Sequence, residues 1–315
     1  MGRTVPGSGL PDRLRDNGGM LAIVFALASA ISYGGSDFAA GLAARSVSVI
    51  QVTLVASAAA LLAVAAAMPF AAAHPPAAAA LAWGAAAGLG GTLGAFALYF
   101  GFRHAAFSVA GPLSAVGTAG FSVLAGLLLG ERPSTLALIG IVLALPAIVC
   151  VSASVAGEEA PPEGADGAQE GARGRPLAGV AAGLIAGACF ALLLVGLDRA
   201  SAGGGGLWPV AAAQVTELAV AGAAAALTRN LRLPGGRPRW LAVITGVTAA
   251  AGTILYFFAS HDGFLVITAV LTSLYPASTI VLARVILGER LTRLRLTGLA
   301  LAGACVALIA AGGAG

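Results

Sequence analysis

There is no lysine anywhere in the 315 residues; all 17 basic positions are arginine. Charge of either sign is scarce, at 10% of the chain against roughly 25% in a soluble globular protein. That shortage excludes a water-soluble body of this size, because too little polar surface exists to cover it. The net charge of +4 is small and sits between apolar runs, which argues against a nucleic-acid partner. Cysteine is nearly absent too. Cys150, Cys189 and Cys305 stand singly inside apolar runs and read as packing residues, not a disulfide framework or metal site. The three histidines, His74, His104 and His261, all fall near the ends of apolar segments. No HxxxH, Ser-His-Asp, paired-carboxylate or phosphate-loop pattern occurs. No catalytic residue, metal ligand or cofactor site is therefore nominated. A membrane-embedded enzyme acting on a lipid or lipid-linked substrate is the rival class, and it lacks these side chains. A channel is disfavoured in the same way, because no charged or carbonyl filter pattern appears.

What the chain has in abundance is apolar length. It is 59% hydrophobic, with a mean hydropathy of +0.95. Runs of about 20 apolar residues recur from end to end, the length that crosses a hydrocarbon core of about 30 Å. They are continuously apolar and do not alternate, which excludes a β-barrel. Ten segments are expected, near 20–42, 47–70, 79–102, 106–129, 134–154, 177–197, 207–228, 239–260, 264–287 and 293–312. Residues 1–19 are polar and read as a disordered tail, with no cleavage-site pattern after the next apolar run. Residues 155–176 are the most hydrophilic stretch and read as a flexible linker. Arginine as the sole basic residue, with so much alanine and glycine, suggests a high-GC bacterial genome, and so an inner or plasma membrane.

The chain is internally duplicated. Leu129-Gly130-Glu131-Arg132 recurs as Leu287-Gly288-Glu289-Arg290, an offset of 289 − 131 = 158. At that offset Gly88 falls on Gly246, Gly94 on Gly252 and Val123-Leu124-Ala125 on Val281-Leu282-Ala283. Residues 20–154 and 177–315 are the two repeats. Five helices per half is an odd number, so the second copy enters the membrane from the opposite side. Such an inverted five-plus-five repeat is a signature of secondary transporters, with the solute site between the halves near the midplane. In the second helices Gln51-Val52-Thr53 aligns with Gln214-Val215-Thr216, at an offset of 163.

The ten-helix duplication, with a Gly-Glu pair closing helices 4 and 9, resembles the EamA family of the drug/metabolite transporter (DMT) superfamily. Tyr33-Gly34-Gly35-Ser36-Asp37-Phe38 in the first helix looks like a subset of bacterial members. Leu274-Tyr275-Pro276 ahead of Leu287-Gly288-Glu289 fits the family's proline-then-Gly-Glu pattern. The first half departs from it, with Thr118 where that proline is expected. The resemblance implies a secondary carrier, usually an exporter of small metabolites or drugs, with both termini cytoplasmic. The arginine distribution implies the reverse orientation, since more arginines lie on the side opposite the N-terminus.

Glu217 is the most informative single residue. A carboxylate at bilayer depth costs roughly 2.5–3.5 kcal/mol and is kept where a partner or an aqueous cavity offsets that cost. Proton carriage is its functional reading; the structural one is an ion pair, with Arg284 as partner. Asp37 reads either as a solute contact or as an interfacial cap. Gln51 and Gln214 either line the path or tie helices together at about 0.6 kcal/mol each. Pro112 and Pro276 remove backbone donors and are expected to kink helices 4 and 9. Ser114, Thr118, Thr272, Ser273 and Tyr275 then form a modest polar lining, with Tyr33 and Tyr256 as aromatic contacts. The Gly130-Glu131 and Gly288-Glu289 corners read as structural: a left-handed glycine cap, then a glutamate near a helix N-terminus. Gly84 and Gly88, like Gly90 and Gly94, are spaced for close helix approach within the molecule. A monomer or weak homodimer in the lipid bilayer, acting on a small-molecule substrate, is the expectation.

Overall fold

The apolar runs fold as helices throughout. The computed structural model describes residues 12–44, 46–71, 75–104, 107–155, 176–287 and 293–313. Eleven α-helices occur among them: α1 (Asp12–Ala44), α2 (Val49–Ala67), α3 (Ala78–His104), α4 (Phe107–Leu128), α5 (Thr135–Val155), α6 (Pro176–Ser201), α7 (Trp208–Leu227), α8 (Gly236–Asp262), α9 (Leu265–Thr272), α10 (Tyr275–Leu287) and α11 (Arg293–Gly313). Seven stretches are long and apolar enough to cross a membrane; six lie in α1, α2, α3, α6, α7 and α8, and the seventh is α9 with α10. Shorter apolar stretches lie in α4, α5 and α11. The first helix begins at Asp12, inside the stretch expected to be a disordered tail.

The ninth apolar segment is broken where the proline was expected to act. Helix α9 stops at Thr272 and α10 starts at Tyr275, with Pro276 at its second residue. Pro276 has no N–H to give the Thr272 carbonyl, so the ladder ends there. Helix α4 has Thr118 in the equivalent region and is continuous; it also runs through Pro112 without a break. Pro112 is the sixth residue of α4, so the helix runs on past the loss of the one bond its nitrogen would have given to the Ser108 carbonyl.

Lipid tails are as apolar as leucine, so helices in a bilayer associate by close packing of small residues, not by expelling water. The buried core is accordingly alanine-rich. A Cβ built on Gly88 of α3 would collide with the Ala213 carbonyl of α7, and one on Gly246 of α8 with the Ala56 carbonyl of α2. Phe190 of α6 lies against Gly94, and Tyr33 of α1 against Gly252. Both sets exchange the halves at one offset, since 213 − 56 = 157 and 190 − 33 = 157. Gln51 therefore corresponds in space to the start of α7 and not to Gln214. The shared Gln-Val-Thr triplet is not a structural equivalence. Glu217 falls opposite alanines of α2 and has no acidic counterpart.

The most extensive helix contacts run between the halves: α3 with α6, α1 with α8, α5 with α11, α4 with α6, α3 with α7 and α2 with α8. Each has an exchange partner in that set or, as α5 with α11, maps onto itself, except α4 with α6, whose counterpart is α1 with α9 and α10. The Gly130 corner forms as expected. Gly130 has φ +92°, its N–H donates to Leu127 O at 3.0 Å, and Glu131 N–H donates to Gly126 O at 3.0 Å. Ser134 caps α5 by accepting from Ala137 N–H at 3.2 Å. Gly288, Glu289 and Arg290 lie outside the described residues.

Candidate functional site

The site grows from the face that α7 turns inward. Pro209, Val210, Ala213, Gln214, Ala221 and Ala225 are buried along it, at helical spacing. Glu217 lies four residues after Ala213 and four before Ala221, so it sits in the middle of this stripe. Yet Glu217 is only half-buried, whereas the stripe around it is closed. On the opposing helix, Gly84, Gly88 and Gly91 form a flat ladder that receives Pro209, Ala213 and Glu217 in turn. A Cβ on Gly91 would stand 3.0 Å from Glu217 Oε1. The missing side chain at Gly91 is what gives the carboxylate its place. This pairing extends the Gly84/Gly88 spacing by one turn, a signal present in the sequence but not followed that far.

Helix α1 supplies the second wall. Ser29 Oγ donates to Gly252 O at 2.8 Å, Tyr33 Oη shares a 2.9 Å hydrogen bond with Thr253 Oγ1, and Ser36 Oγ donates to Thr245 O at 3.1 Å. These residues fix the face of α1 that lies on α8. Gly34 lies tight against Tyr275 and Ser278 of α10, and Thr279 Oγ1 donates to Gly34 O at 3.2 Å. At about 100° per residue, Asp37 falls between those two faces. Asp37 is exposed. Among the described residues neither the Asp37 nor the Glu217 carboxylate has a hydrogen-bond or ion-pair partner. Gln214, one turn before Glu217, is 2% exposed, and its Oε1 meets no donor.

Other expected site residues are placed elsewhere. Gln51 belongs to a capping box: its N–H donates to Ser48 Oγ and its side-chain oxygen accepts from Ser48 N–H, both at 3.3 Å. Its Nε2 donates to Arg232 O at 2.7 Å, tying α2 to the loop before α8. The Ser48-x-x-Gln51 spacing carries that signature in the sequence. The hydroxyls of Ser114, Thr118, Thr272 and Ser273 are buried, and three of them donate to backbone carbonyls. Thr118 donates to Ser114 O at 2.8 Å, Thr272 to Ala26 O at 3.4 Å and Ser273 to Ala269 O at 2.8 Å. Ser114 is itself fully buried. In an apolar interior a hydroxyl takes the nearest carbonyl, and within a helix that is four residues back. Tyr275 opens α10 against α1. Tyr256 is wholly buried and its Oη meets no partner of good geometry; the Thr268 hydroxyl beside it is engaged with Phe264 O and Leu265 O. Arg284 is exposed in the last turn of α10, a helix packed on α1 and α5, whereas Glu217 rests on α3. Pro112 lies in α4 and Pro276 at the break.

Glu131 has a role wider than a corner. Its Oε1 accepts from Leu265 N–H at 2.7 Å and its Oε2 from Val266 N–H at 2.8 Å. It caps α9, a helix of the other half, and not the helix that follows it. Gly126 makes room, since a Cβ there would meet Glu131 Oε2 at 2.8 Å and collide with Val266. Desolvation pushes the Glu131 carboxyl above its ordinary range, and the two N–H donors pull it part of the way back. Among the described residues no group of three or more metal-ligating side chains gathers.

Residues 20–153 match the model of the EamA-like transporter family. The chain carries an EamA unit. Residues 20–153 are thus similar to a transporter family, and the long apolar helices support a multi-pass membrane protein. Comparison with curated proteins returned no match. A solved structure titled only "Crystal structure of protein" has a TM-score of 0.72 at 17% identity. It covers 92% of this chain and 96% of its own. The fold of that structure is therefore shared along nearly the whole length of this chain.

Proposed function

We propose that the protein is a secondary active transporter, exporting small metabolites or drugs by alternating access. Ten crossings arranged as an inverted five-plus-five repeat would carry the solute path between the halves. The reading rests above all on Glu217, a carboxylate in mid-membrane position on an inward stripe, still accessible and without a partner among the described residues. A structural carboxylate at that depth would be tied to a neighbour. One that must lose its charge to cross the bilayer is suited to carry protons. The second support is the α9–α10 break, because interrupted helices free backbone groups where solutes bind. A bacterial inner or plasma membrane and a solitary or weakly dimeric molecule complete the reading.

A counterflow screen of metabolites in proteoliposomes tests it. Preloaded solute should exchange for labelled solute with the wild-type protein and much more slowly with Glu217→Gln. Exchange that is unchanged in Glu217→Gln, at equal reconstitution, would remove Glu217 from the path. Turnover of a membrane lipid without net transport would replace the carrier by an enzyme.

A further inference from the structure

The connection between α7 and α8 gathers positive charge that no described residue answers. Arg229, Arg232, Arg237 and Arg239 fall within eleven residues, and no acidic residue lies between Glu217 and Asp262 in the chain. All four side chains are exposed, and none has a hydrogen-bond or ion-pair partner among the described residues. Leu231, Leu233 and Trp240 stand exposed between and beside them. The level where acyl chains meet headgroups accepts both kinds of side chain, tryptophan above all. The loop is also held in place. Gln51 Nε2 of α2 donates to Arg232 O at 2.7 Å, and Pro234 is buried.

Three of these arginines stand where folding alone gains nothing from an arginine. Among the described residues Arg229 is the one non-glycine with a positive φ, +54°. It closes α7, its N–H donating to Ala226 O at 3.1 Å and that of Asn230 to Ala225 O at 2.8 Å. Glycine takes this left-handed position at lower cost. Arg237 and Arg239 lie at the start of α8, the positive end of its dipole, and no acidic residue accompanies them in the first turn. What this loop lacks is a negative partner in the plane of the membrane surface.

We propose that the α7–α8 loop is a docking surface for anionic phospholipid, with the arginines on headgroup phosphates and Leu231, Leu233 and Trp240 among the upper acyl chains. Guanidinium groups meet phosphate oxygens through paired N–H donors. Each arginine near an anionic membrane surface strengthens binding about fivefold. The loop would hold lipid whether or not the protein carries a solute.

Trp240 reports on this lipid directly. The full-length protein is reconstituted in bilayers of phosphatidylcholine and phosphatidylglycerol, with one lipid brominated on its acyl chains. Quenching of Trp240 is the difference between the wild-type chain and Trp240→Phe. Phosphatidylglycerol should displace phosphatidylcholine beside Trp240 with a relative binding constant well above one. That constant should fall in about 1 M salt, where the screening length is ~3 Å. Arg229→Gly should lower it about fivefold while raising the melting temperature, a pairing that a merely structural arginine would not give. Arg229→Gln, Arg232→Gln, Arg237→Gln and Arg239→Gln combined should bring it to about one. A constant near one in the wild type overturns the proposal, as does an unchanged constant in the combined variant. Should the combined variant not fold, an unchanged constant in Arg229→Gly overturns it alone. Loss of the preference on adding inorganic phosphate at constant ionic strength overturns the lipid in favour of a free anion.

Discussion

At Gly91 a methyl group would stand 3.0 Å from Glu217 Oε1, the free end of a flexible side chain. At Gly88 it would strike the backbone carbonyl of Ala213, which cannot move without shifting α7. At Gly120 nothing lies within 4 Å. Three glycines of the same bundle therefore answer differently. Gly91→Ala should keep the fold and reduce solute flux by displacing the carboxylate. Gly88→Leu should lower stability by about 1–3 kcal/mol through overpacking. Gly120→Ala should be neutral or stabilising by up to about 1 kcal/mol, from the entropy glycine loses in a helix. Thermal melting of the purified variants beside counterflow rates separates the three. Equal melting losses at Gly88 and Gly120 would contradict the packing assigned to α3 and α7. Glu217 itself was legible in the sequence, because one carboxylate within a long apolar run is conspicuous. Gly91 was not, since a glycine's role depends on what faces it across the bundle.

Among elements, the junction of α8 and α9 depends on a residue of the other half. Glu131→Ala leaves the Leu265 and Val266 N–H groups without their acceptor, at about 1–3 kcal/mol. Hydrogen exchange at those two amides should rise while that of α5 is unchanged. The pH dependence has a definite sign. The folded carboxyl lies above the ordinary value of 4.5, so between the two values the folded chain binds more protons than the unfolded one. The stability linked to this titration is complete below pH 4.5 and is lost as pH rises through the folded value. Glu131→Gln should remove that slope from a melting series; an unaltered slope would assign it to another group. The sequence reading of this corner was right about the glycine and wrong about the target. A left-handed Gly130 follows from local chain geometry, whereas the helix that Glu131 caps is set by how the halves interlock. For the same reason Ser114, Thr118, Thr272 and Ser273 were expected to line a path. The residue types allowed it, and close packing gave the hydroxyls of Thr118, Thr272 and Ser273 to backbone carbonyls, while the Ser114 hydroxyl is buried without a partner among the described residues.

At the scale of the molecule, the repeat visible at offset 158 becomes a set of exchanges. Helices α1 and α6, α2 and α7, and α3 and α8 trade places in the packing. Because the most extensive contacts cross between halves, neither half buries its small-residue faces alone. Residues 1–155 expressed without 176–315 should fail to give a monodisperse, cooperatively melting species, and co-expression of the two pieces should restore it. Independent folding of either piece would contradict this interlocking. The duplication was legible because glycines at close approaches repeat with fixed spacing. The match between Gln51 and Gln214 was misleading because a three-residue likeness carries no packing information.

The proposed coupling of solute movement to protons through Glu217 is tested most directly by pH-gradient-driven accumulation in proteoliposomes. With a transported solute, an imposed pH gradient should drive accumulation by the wild-type protein. Glu217→Gln, reconstituted to the same level, should lose gradient-driven accumulation while keeping slow exchange. Gradient-driven accumulation of wild-type size in Glu217→Gln would contradict the account.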